Sequence, residues 1–171
     1  MSKLIKPELV RAQSILWHPV ATVRKYDEKG RLYETISCEG NELTTAGLNR
    51  VANVLVDGGN QALTETACRL GVGNDDTPFD PSDNDLGTSE RYATMESGYP
   101  TVDGDEITFQ SVFEDSEANF AWECWGIDVD TTPPASDGDT AISLFNRKVF
   151  SFGIKSGGTW TLTVVVGLSS T

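Results

Sequence analysis

Apolar and polar residues alternate along most of the chain, and a period of two is the signature of half-buried β-strands. In TWTLTVVVGL, the residues Trp160, Leu162, Val164, Val166 and Leu168 fall on one face. DEITFQSVFE places Ile107, Phe109 and Phe113 on one side and Thr108, Gln110 and Val112 on the other. SILWHPVATVRKY sets Ile15, Trp17, Ala21 and Val23 on a common face, with Pro19 arguing for an edge or a bend. The turn signal DEKG and the segment RLYETISCEG complete a predicted hairpin. EANFAWECWGIDV alternates Phe120, Trp122 and Cys124 against Ala121, Trp125 and Ile127. Large side chains on both faces put that strand centrally, between two layers or at a subunit contact. CRLGVG reads as a short buried strand, AISLFNRKVFSFGI as one or two more, TTPPASDGDT as a loop and SGG as a turn.

A period of 3.6 occurs once, in LTTAGLNRVANVLVDGG. Leu48, Val51, Ala52 and Leu55 follow i, i+3, i+4 and i+7, Thr44 or Thr45 is a candidate N-cap, and Gly58 a candidate C-terminal left-handed residue. A helix over about 44–57 is expected, its stripe covering a sheet. The fold predicted is mainly β: an antiparallel sandwich or partly open barrel of about seven or more strands with that one covering helix. Residues 1–13, broken by Pro7, read as an N-terminal arm and 14–171 as a single β-rich domain.

Charge narrows the partners. The 171-residue chain carries a net charge of −13, a field that repels phosphate backbones and disfavours nucleic acid. Lys3, Lys6, Arg11, Arg24, Lys25, Lys29 and Arg31 crowd the first third; docking of this segment on an acidic partner is one reading, and a solvated tail is the plainer one. Apolar runs such as Val164-Val165-Val166 are too short to span a bilayer, and the N-terminus lacks a signal-peptide core, so assembly in a cytosol is expected. Three cysteines, Cys38, Cys68 and Cys124, form no C-x-x-C pair and predict buried free thiols.

The densest candidate for chemistry is LGVGNDDTPFDPSDNDLG, with Asp75, Asp76, Asp80, Asp83 and Asp85. Hard cations such as calcium take several oxygens, but no register of this loop gives the EF-hand pattern. Asx turns and solvated charge are the plainer reading, and no metal or other cofactor is expected. The glycines of GVGN form no dinucleotide fingerprint, because Asp75 and Asp76 would repel a phosphate; a bulge or tight strand exit is expected instead. His18 is the only histidine, so any Ser–His or Cys–His nucleophile needs it, and no G-x-S-x-G elbow is present. Glu123, between Trp122 and Trp125, is the best single candidate for a glycosidase carboxyl, but no second carboxylate pairs with it. Its plainer reading is an ion pair with Arg147 or Lys148. The tryptophans and phenylalanines at strand spacing read as core before they read as a sugar platform. The chain is therefore expected not to be an enzyme.

Four stretches carry a resemblance: GNELTTAGLNRVANVL, LGVGNDDTPFDPSDNDLG, ANFAWECWGID and FNRKVFSFGIKSGGTWTLTVVVGLS. Their order over residues 15 to 170 resembles a group of small tailed-bacteriophage structural proteins found among head and tail genes. Cys124 departs from that group, which has a small or polar residue there. The resemblance implies a virion structural protein assembled in the host cytoplasm. The first expectation is a capsid decoration, cement or minor head protein that binds the major capsid protein, forms a homo-oligomer (a trimer at a local three-fold), and grips the shell through Lys3, Lys6 and Arg11. The alternative is a tail, baseplate or fibre component contacting host-surface glycans.

Overall fold

The computed structural model describes residues 15–56, 62–130 and 132–170. Lys3, Lys6 and Arg11 of the arm, and Gly58, lie outside the described residues.

Two five-stranded antiparallel sheets face each other. The first contains β1 (Ile15–Tyr26), β2 (Leu32–Glu39), β6 (Thr101–Asp103), β7 (Glu106–Phe113) and β10 (Thr159–Ser170), in the order β2-β1-β10-β7-β6. The second contains β3 (Glu42–Leu43), β4 (Cys68–Gly73), β5 (Glu90–Thr94), β8 (Ala121–Val129) and β9 (Asn146–Ile154), in the order β3-β9-β8-β4-β5. This is the predicted sandwich, open rather than closed into a barrel, with ten strands among the described residues. The short strands β3, β5 and β6 escape the alternation test because two to five residues carry too little pattern.

The β1–β2 hairpin forms as predicted: Asp27 Oδ1 accepts the backbone N–H groups of Lys29 and Arg31, both at 2.9 Å, and so closes the DEKG turn. Ala21 and Val23 are buried, but Ile15, paired with Ser170 at the start of β1, is exposed. Pro19 stands where β1 passes the end of β2: pairing with β2 runs from Val20 onward, and Ile15–His18 form an edge on that side, as the proline suggests. β1 runs between β2 and β10, and the Pro19 carbonyl accepts Gly40 N–H at 2.8 Å where β2 ends. Its missing N–H therefore faces the end of β2, and the ladder to β10 loses nothing.

The inter-sheet core takes Val23, Phe109, Phe113, Leu162 and Val164 from the first sheet and Leu70, Val72, Trp122, Trp125 and Ile127 from the second. Trp122 stands edge-on to Phe113 and Trp160, with ring centroids 4.9 and 4.8 Å away. The expected phase of β8 needs correction. A register shift between Trp122 and Cys124 brings Trp122 onto the same core face as Trp125, Ile127 and Val129 and turns Cys124 outward. β8 does lie centrally, at the middle of its sheet.

Helix α1 (Thr45–Val56) starts where expected, with Thr44 Oγ1 accepting Gly47 N–H at 3.0 Å. Gly47 sits so close to the segment leading into β9 that a Cβ there would lie 2.0 Å from the Phe145 carbonyl oxygen. The stripe expected to cover a sheet behaves differently. Gly47 and Arg50 are the buried helix residues, whereas Leu48, Val51, Val54 and Leu55 are exposed, Leu55 by 79%. The helix is pinned by its first turn and leaves its apolar side in solvent.

Candidate functional site

The aspartate loop builds outward from β4, whose six residues are all buried. At Gly71 and Gly73 the outer face of that strand has no side chains, and the loop 74–89 folds back over it. A Cβ on Gly73 would fall 2.0 Å from the Leu86 carbonyl oxygen, and one on Gly71 would meet the Tyr92 ring. The GVG glycines therefore create neither a bulge nor a phosphate cradle; they let the loop lie flush on the strand. Leu86 anchors it in a second small core with Tyr92, Cys124 and Leu144. The centre of the second sheet, β4 and most of β8, is thus buried on both faces, which is why CRLGVG and AWECWGIDV show no clean alternation.

Five carboxylates drawn to one small loop would repel one another, and the fold answers with a cation of its own. Arg147, on β9 and fully buried at its side chain, reaches into the loop. Its Nη2 donates to Asp75 Oδ2 at 2.9 Å, and Nη1 donates to Asp83 Oδ2 at 2.8 Å. Nη2 also donates to the carbonyls of Thr77 at 3.0 Å and Asp75 at 3.2 Å. Its planar fork links two carboxylates and two carbonyls in one fixed geometry. Asp80 instead accepts from Ser82 N–H at 2.8 Å, and Asp85 from Gly87 N–H at 3.1 Å, both as Asx turns. Burial pushes the Asp75 carboxyl up, yet the Thr77 N–H and hydroxyl and the Arg147 charge outweigh it and hold it below the ordinary aspartate value. The Ser82 hydroxyl and N–H likewise lower Asp80. Among the described residues no group of three or more His, Cys, Asp or Glu side chains is placed to hold a metal ion. The calcium candidates Asp75, Asp76, Asp80, Asp83 and Asp85 thus divide among an arginine clamp, two turns and solvent, with Asp76 exposed. A shallow cleft of about 290 Å³ between Gly40–Glu42 and Pro78–Phe79 opens beside Arg147.

The same device recurs twice. Arg69, buried on β4, pairs with the fully buried Asp128 and donates to the carbonyls of Ser136 at 2.9 Å and Thr140 at 3.0 Å. Asp128 Oδ1 accepts Ile142 and Ser143 N–H at 2.9 and 2.8 Å, so one ion pair ties the loop 132–144 to the sheet. Lys155 points its ammonium into the 114–119 turn, donating to the carbonyls of Glu114 at 2.7 Å and Glu117 at 2.9 Å. Burial pushes that ammonium's pKa down, against the pull of Asp115, Glu117 and Glu114. Each cation holds a loop. Sequence reading finds the loop aspartates but not Arg147, and it misses the carbonyl-binding Lys155, because both cations lie some 40 to 70 residues away from the groups they bind.

The catalytic candidates disperse. His18 is exposed on the outer face of the first sheet, its Nε2 3.2 Å from Ser169 Oγ, with no carboxylate bonded to its ring among the described residues. Glu123 is half-buried at the β8 register shift, while Trp122 and Trp125, its supposed walls, face the core. Arg147 is engaged by Asp75 and Asp83 and so does not serve Glu123. Trp122, Trp125 and Trp160 are core residues, as their strand spacing predicts. No protein-family model, curated protein or solved structure matches the chain.

Proposed function

We propose that the chain is a structural protein of a tailed-bacteriophage virion, acting as a capsid decoration or minor head protein that binds and stabilises the assembled shell. The reading rests on the motifs that carry the resemblance and on one observation: the apolar stripe of α1, with Leu48, Val51, Val54 and Leu55 in solvent on a helix capped by Thr44 at its first turn. A stripe of that kind is a docking element. The resemblance motifs also fall where the fold needs them: Gly47 against the segment leading into β9, Gly71 and Gly73 under the aspartate loop, and Lys155 inside the 114–119 turn. These roles are mechanical, as a non-enzymatic scaffold requires. Stabilisation follows from mass action: a protein that binds the assembled lattice and not its free subunits shifts the equilibrium toward the lattice. The major capsid protein is the partner, the virion the location, and the basic arm with Lys3, Lys6 and Arg11 a second grip on it.

Sedimentation with purified capsids tests this. The wild-type protein is expected to pellet with capsids, and a Val51→Asp/Leu55→Asp variant with an unchanged melt is expected to stay in the supernatant. Undiminished pelleting of that variant overturns α1 as the contact. Fractionation of the wild type with tails instead of heads replaces this reading with the tail alternative.

A further inference from the structure

The four sheet edges differ in what covers them. β3 has two residues and β6 three, too short to template another strand; β3 covers β9 only at Asn146 and Arg147, and farther along β9 the Phe152 carbonyl accepts Lys25 Nζ at 2.5 Å. Along β5, Tyr92 forms a bridge with Gly138, so the 132–144 loop closes that edge. β7 extends past β6, and there the Gln110 carbonyl accepts Glu96 N–H at 2.8 Å. β2 differs: it spans eight residues and pairs with β1 alone. It holds neither Pro nor Lys, and its one irregularity is the extra residue Tyr33 at the turn end, where Lys25 pairs with Glu34 but Tyr26 with Leu32.

The orientation of its free backbone groups follows from one bond. Gly40 N–H donates to Pro19 O, so Gly40 faces β1, and alternation turns Cys38, Ile36 and Glu34 the same way. Thr35, Ser37 and Glu39 then present their N–H and C=O groups away from the sheet. No hydrogen bond to them occurs on that side among the described residues. Such a row takes an extended strand and little else.

We propose that the occupant is β2 of a second copy, paired antiparallel about a two-fold axis at Ile36, joining two first sheets edge to edge. In that register Thr35 of each copy faces Ser37 of the other and both groups of each residue are bonded. On the core-facing side Ile36 meets its twin and Glu34 meets Cys38, and Tyr33 and Glu39 meet at the margins. For a chain of net charge −13 the decisive point is that no carboxylate stands opposite another in this arrangement. Glu34 is moreover neutralised within its own copy by Lys25 at 2.6 Å.

The pairing is independent of capsid binding, and its test separates the two. Light scattering on the purified full chain at micromolar concentration is expected to give twice the 18.5 kDa chain mass. Thr35→Pro removes an outward N–H without touching the ladder to β1, and should return the mass of one chain with the fold retained. Ile36→Cys should form an inter-chain disulfide under mild oxidation, since opposed residues of a non-hydrogen-bonded pair lie about 4.5 Å apart at Cα. That crosslink also decides the matter where Thr35→Pro fails to fold. A single-chain or three-chain mass for the wild type, or a dimer that neither variant responds to, overturns the proposal and leaves the capsid reading intact.

Discussion

At the scale of single residues, the buried cations of β4 and β9 decide where loops lie. Replacing Arg147 by Met leaves Asp75 and Asp83 partly buried without their counter-charge, and breaking a buried pair on one side costs about 3–5 kcal/mol. The expected result is a fall of that size in urea denaturation with increased proteolysis within the loop 74–89. Acid acts on the same clamp. The folded Asp75 carboxyl titrates below its ordinary value of 3.8, so its contribution to stability is complete above that range. It is lost as pH falls through the lower folded value. The stability difference between wild type and Asp75→Asn should therefore be constant from neutrality to mild acid and shrink below about pH 4. A difference that grows on acidification would contradict the clamp.

At the scale of elements, α1 separates two kinds of stability. Thr44 is buried, caps the helix and also donates to the Leu144 carbonyl at 2.5 Å, so Thr44→Ala should cost about 1–2 kcal/mol. Leu55→Asp, on the exposed stripe, should change stability by less than about 0.5 kcal/mol. Chemical denaturation of the two variants side by side checks the contrast; equal losses would mean that the stripe is packed in solution. Periodicity located this helix and its cap correctly, because both depend on neighbours along the chain. What the stripe faces depends on where β9 and the aspartate loop place the first turn, which local pattern does not carry. The β8 phase was illegible for a related reason: an extra residue at a register shift inverts every later side chain, and only pairing with β9 locates it.

At the scale of the whole molecule, two sheets, a second small core and three cation-held loops leave the cysteines sealed. Cys38, Cys68 and Cys124 are all free and buried, and burial pushes Cys68 up to about 12 and Cys124 up to about 11. A thiol reagent at pH 8 should label none of them rapidly in the native protein and all three after unfolding. Fast native labelling of Cys124 would mean that the loop 74–89 opens readily, since the Cys124 thiol donates to the Leu86 carbonyl beneath that loop.

Alternation, turn residues and composition by themselves determined the β class, most of the long strands, the capped helix, the buried thiols and the core role of the tryptophans. Each of these is set by short-range geometry or by the cost of leaving apolar surface in water. The tertiary structure alone decided the meaning of LGVGNDDTPFDPSDNDLG. Its glycines are needed because Leu86 returns over them, and its aspartates are tolerated because Arg147 arrives from a strand some 70 residues onward. Charge balance around a buried arginine is a property of what meets in space, and residues distant in sequence supply it.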